Sequence, residues 1–165
     1  MRRYFFMLTA LLVAAPAFAE EPVGCDKFKW LLDHERALLA TAPQTLSGSE
    51  MPKPVDAAAI VTLVPFADAH LPMDPERAPK SPDSYAGFVR IPTLPKPGTY
   101  RITLSQGAWI DIIQNGQELK SITSSGATGC DGVRKSVKFE LLAAPLTIQL
   151  SGTTAHAIAV AVTAD

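Results

Sequence analysis

The stretch "GTYRITLSQGAWIDIIQNGQELKS", residues 98–121, decides the fold class. Apolar side chains return at every second position: Tyr100, Ile102 and Leu104 share one side of the first run, and Arg101 and Thr103 share the other. A period of two marks a strand with one face in a core and one in water. In the second run Ile110 and Ile112 take the inward side, which turns Trp109 and Asp111 outward. Asn115-Gly116 then stands between two apolar runs. Both residues tolerate positive φ, so a tight hairpin turn is expected there.

The same grammar extends outward. Phe88–Ile91, Gln117–Ile122, Ser136–Leu141, Leu146–Leu150 and Ala157–Val162 read as further strands, separated by turn residues. Val137, Phe139 and Leu141 share a dry side, as do Ile148 with Leu150, and Ile158 with Val160 and Val162. Lys138, Glu140, Thr147 and Gln149 fall on the wet sides. Strands with one dry and one wet face are satisfied by two packed antiparallel sheets, so the reading is a mainly β chain folded as an antiparallel β-sandwich. "YRITLSQGAWIDII" and "LTIQLSGTTAHAIAVAV" echo one another, and read as two hairpin-like units facing each other.

Upstream the pattern changes. "CDKFKWLLDHERALLATA", residues 25–42, places Phe28, Leu31, Leu32, Leu38 and Leu39 at spacings of three and four, with Asp26 as a cap and Pro43 as a stop. That predicts one N-terminal amphipathic helix. Eleven of the 14 prolines lie from Pro43 to Pro97, a density that no long helix survives. Ala59–Phe66 reads as one β-branched strand, and "HLPMDPERAPKSPDS" as a long ordered crossover.

The chain opens with Arg2-Arg3, an apolar run, and Ala17-Phe18-Ala19, the form of a cleavable secretory signal over residues 1–19. The apolar run is short of the roughly 20 residues that cross a bilayer. The organisation expected is a signal peptide at 1–19, a helix and linker at 20–56, and the sandwich at 57–165, one globular domain overall. The net charge is −1, so no basic excess argues for nucleic acid or an anionic membrane surface. In an oxidising compartment the two cysteines, Cys25 and Cys130, are expected to form a disulfide, which explains a cysteine in the glycine- and serine-rich loop 121–136. Periplasmic localisation without a stable membrane anchor follows from these expectations.

"GTYRITLSQGAWIDIIQNGQELKS" together with "LTIQLSG" resembles the small jelly-roll modules of the bacterial pre-peptidase C-terminal type, over about residues 86–163. That resemblance implies a jelly-roll-like sandwich and a non-catalytic accessory role. The whole chain, through "CDKFKWLLDHERALLA" and "GCDGVRKSVKFEL", is similar to short exported Gram-negative proteins of unknown function, some carried under the name homogentisate dioxygenase. Its chemistry argues against that activity. Such an enzyme resembles a larger iron protein with clustered His and carboxylate ligands, whereas the three histidines here are scattered singly.

Other chemistries find little support. His34-Glu35 starts a zinc-protease pattern, but Leu38 stands where the second histidine is needed. No Gly-x-Ser-x-Gly elbow exists, and Gly126, Gly129 and Gly132 lack phosphate-loop spacing before Arg134-Lys135-Ser136. No cofactor is expected. His70 and Met73, in "HLPMD", are the best metal candidates and support an alternative role in periplasmic copper handling. The leading expectation is a non-catalytic binding or cell-envelope accessory protein, with an envelope protein or a glycan as partner. Its ligand would lie across a wet sheet face carrying Arg101, Trp109 and Asp111.

Overall fold

The computed structural model describes residues 20–165, so the signal peptide expected at 1–19 lies outside the described residues. Eleven strands form two sheets. The first has six: β1 (Gln44–Leu46), β2 (Ala57–Thr62), β11 (Ala157–Ala164), β5 (Gly98–Leu104), β9 (Lys135–Leu141) and β8 (Thr123–Gly126), in that spatial order. The second has five: β3 (Val64–Pro65), β4 (Tyr85–Ile91), β10 (Leu146–Thr153), β6 (Trp109–Gln114) and β7 (Gln117–Leu119). Pairing is antiparallel except where β1 runs parallel to β2.

The inward side chains of both sheets meet in one core. Val61, Ile102, Leu104, Phe139 and Val160 come from the first sheet, and Val89, Ile112, Ile148 and Leu150 from the second. Each such side chain, fully buried, contributes about 1.5 to 3 kcal/mol. On β5, β6, β9, β10 and β11 the alternation in the sequence assigned the inward faces as the structure has them. Asn115 and Gly116 adopt φ 54° and 74°, and Gln114 pairs with Gln117 across the two-residue turn. Cys25 and Cys130 are joined by a disulfide that links positions 105 residues apart.

Several expectations need correction. Ala59–Phe66, read as one strand, breaks at Leu63 into β2 and β3 of different sheets. The helix is shorter than predicted: Cys25–Lys27 makes one 3-10 turn, and the α-helix, α1, spans Asp33–Ala40. Between them the chain is pinned flat across the first sheet. The Lys29 backbone N–H donates to Ser125 Oγ at 2.9 Å and the Trp30 indole N–H to Ser136 Oγ at 3.2 Å. Winding begins only past these anchors, which leaves Leu31 85% exposed.

The echoing segments are corners, not hairpins. β5 and β6 lie in different sheets, as do β10 and β11; β5 pairs with β11 while β6 pairs with β10. Each unit bends across the sandwich and the two clasp one another. Stretch 121–136, read as a glycine- and serine-rich loop tied by the disulfide, contains β8, whose pairing with β9 extends the first sheet. β1, unseen among the prolines, adds a strand at the other edge.

The faces expected to be wet are largely covered. On the first sheet α1 packs over β2 and β11, and Leu32, Leu39 and Val133 meet the outward Ala58, Ala159 and Ala161. Alanine on the outward side of "AIAVAV" lets a helix approach closely while Ile158, Val160 and Val162 fill the sandwich core. On the second sheet the proline-rich crossover lies over β6 and β10: the Met73 N–H donates to Gln149 Oε1 and the Glu76 N–H to Asp111 Oδ1, both at 3.4 Å. Most of the buried polar groups beneath these covers bond to each other, as burial favours, although Ser151 Oγ has no partner among the described residues. Thr103 with Ser136 at 2.9 Å, Thr163 with Glu35 at 2.7 Å and Gln149 with Asp111 at 3.1 Å are the clearest cases.

Candidate functional site

The three residues expected to share one wet face do not. Arg101, on β5, belongs to the first sheet, and Trp109 and Asp111, on β6, belong to the second. Opposite sheets of a sandwich turn their outer faces in opposite directions, so no ligand on one face spans all three. Arg101 serves α1 instead. Its Nη1 lies 3.0 Å from Glu35 Oε1 and donates to the Leu31 carbonyl at 3.2 Å, while Nε lies 3.2 Å from Asp165 Oδ1 without hydrogen-bond geometry.

Asp111 points out of the sandwich, as alternation requires, yet only 2% of it is exposed because the crossover covers it. Burial raises its carboxyl pKa; hydrogen bonds from Gln149 and the Glu76 backbone oppose that, and the nearby Glu118 charge adds to it. The Trp109 indole N–H favours the carboxylate by proximity but makes no hydrogen bond of good geometry. Carboxylate oxygens of Glu76, Asp111 and Glu118 fall within 4.8 Å of one another. Lys120 Nζ is already seated among them, 2.7 Å from Glu76 and 3.0 Å from Glu118.

His70 and Met73 lie on the crossover. His70 is exposed with φ 43°, Met73 is half-buried, and neither belongs to the group of acidic donors around Asp111. His34 pairs with Asp56 on the surface at 3.1 Å.

Trp109 instead anchors a cleft of about 280 Å³ at one edge of the sandwich. Ile110 and Leu119 from the second sheet and Val137 and Phe139 from the first line it, so it opens between the sheets where β7 passes to β8. Two cations flank the indole. The Arg77 guanidinium lies 4.1 Å from the ring centroid and the Lys135 ammonium 5.0 Å from it.

Lys135 shares the inward parity of Val137 and Phe139 on β9, so the strand carries its ammonium toward the interior. It donates to the Ala108 carbonyl at 3.1 Å. Burial pushes its pKa below the usual lysine value, with help from the Arg77 and Arg134 charges and some opposition from Asp111. Sequence reasoning passed over Lys135, although its parity with a dry face was the signal. Arg77 gave none, because the crossover that places it has no periodicity to read.

Comparison with protein-family models, with curated proteins and with solved structures returns no match to this chain.

Proposed function

We propose that the protein is an exported, non-catalytic binding or cell-envelope accessory module of jelly-roll type, and that its ligand site is the Trp109 cleft. Supporting the jelly roll, the order β2-β11-β5-β9 faces β4-β10-β6-β7, with the chain changing sheets at most connections. Periplasmic export accords with the Cys25–Cys130 disulfide and with the absence, among the described residues, of a helix long and apolar enough to cross a membrane.

One observation carries the reading: the cleft joins apolar side chains drawn from both sheets to an indole flanked by two cations, with the Glu76–Lys120 pair and two serines completing its wall. Pockets that hold ligands are mostly apolar with a few directed polar groups, and run from roughly 300 Å³ upward. This one stands at the small end. Rigid strands supply most of its wall, so little ordering entropy opposes binding.

The test uses mature protein recovered from an envelope fraction, with bound small molecules, glycans and proteins identified by mass spectrometry. Trp109→Ala and Arg77→Gln should each lose whatever the unaltered chain retains, while circular dichroism shows the fold intact. Retention of the same companion by both variants would place the binding surface elsewhere.

A further inference from the structure

Resting on that reading of the cleft, we propose that its ligand is a small amphipathic monoanion, an alkyl carboxylate being the simplest, with its head on Lys135 and Arg77 and its apolar body between the sheets.

The charge balance of the cleft points to an anion. Neither Lys135 nor Arg77 takes part in an ion pair among the described residues. Glu76 and Lys120 also line the cleft, but they pair with one another, Lys120 also holds Glu118, and Asp111 bonds Gln149, which leaves Lys135 and Arg77 as the lining charges without an ion pair. An ammonium has three donors, and Lys135 commits one, to Ala108. A cation drawn out of water is costly unless paired and hydrogen-bonded. An anionic head on the remaining donors would complete the arrangement.

The rest of the ligand follows from the walls. Ile110, Leu119, Val137 and Phe139 offer nothing to the hydration shell of an inorganic ion, so a bare anion would leave that surface unused. A sugar stacked on Trp109 would compete with the Arg77 guanidinium already against the ring. An acid with a short apolar body satisfies both halves of the cleft, and about 280 Å³ keeps it small. The exposed Ser121 and Ser124 at the rim offer further hydroxyl donors to the head.

Isothermal titration calorimetry on the mature, disulfide-bonded chain with octanoate, 1-octanol and acetate separates the contributions. Octanoate should bind saturably at one site, with 1-octanol and acetate at least tenfold weaker. Lys135→Met, which keeps the stem and removes the charge, should weaken octanoate at least tenfold and 1-octanol far less; Arg77→Gln, at an exposed position, should weaken octanoate several-fold. Equal affinity for octanoate and 1-octanol would overturn the anion while keeping an apolar ligand site. Failure of octanoate to bind folded protein would also overturn it, whereas the cleft reading itself falls only if Trp109→Ala and Arg77→Gln keep their co-purifying companion.

Discussion

Arg101→Ala should destabilise the fold without touching the ligand cleft. Glu35, on the buried side of α1, is 1% exposed and is held by the Thr163 hydroxyl at 2.7 Å and by Arg101 at 3.0 Å. Removing one partner of a buried ion pair costs about 3 to 5 kcal/mol, because the other charge is left uncompensated. Arg101 retains 19% side-chain exposure, so water reaches the pair and the lower end, about 3 kcal/mol, is expected. At about 2 to 4 °C per kcal/mol, that lowers Tm by about 6 to 12 °C. Urea denaturation of the oxidised protein should show a reduced midpoint with an unchanged slope. Glu35→Gln in the Arg101→Ala background should recover part of the loss, since it removes the stranded charge while an amide can still bond Thr163. A loss under about 1 kcal/mol would put the pair among solvated surface ion pairs and refute the role assigned to it.

Further outcomes follow from other parts of the molecule. Replacing Cys25 or Cys130 by Ala opens a link across 105 residues and should cost about 2 to 5 kcal/mol; non-reducing peptide mapping identifies the cross-link, and an unchanged melting point would show it to be immaterial. Asp111 has a folded pKa raised above the ordinary 3.8 by burial, so its protonated form favours the fold and stability is lost as pH climbs from about 3.8 through the raised value. Asp111→Asn should therefore gain stability at pH 7 relative to the unaltered chain and show a flatter profile, measured as Tm against pH. A loss at pH 7 instead would mean that the carboxylate is needed under the crossover.

How far the sequence could be read depends on which interactions are local. Alternation set the inward faces of β5, β6, β9, β10 and β11, because side-chain direction along a strand is fixed by backbone geometry alone. Asn115-Gly116 set its hairpin for the same kind of reason, a backbone conformation that few residues tolerate. Cys25 and Cys130 had no other partner. The outward faces were not legible. Arg101 and Trp109 carry the same outward parity, but parity does not say which sheet a strand joins, and the chain crosses between sheets after β5. Nor does it say what comes to rest on a face: Gln149, Thr103 and Asp111 look wet in sequence and are buried by segments tens of residues away. The helix shortened for a related reason, since Ser125 and Ser136 compete for the backbone and side chains of residues 29 and 30 only once β8 and β9 are assembled. Local pattern was thus enough for two dry sheet faces, one hairpin and one cross-link. Tertiary structure alone decided which residues share a surface, drawing Arg77, Trp109 and Lys135 from a proline-rich crossover and two different sheets into one cleft, because such contacts depend on long-range chain crossing that local periodicity does not encode.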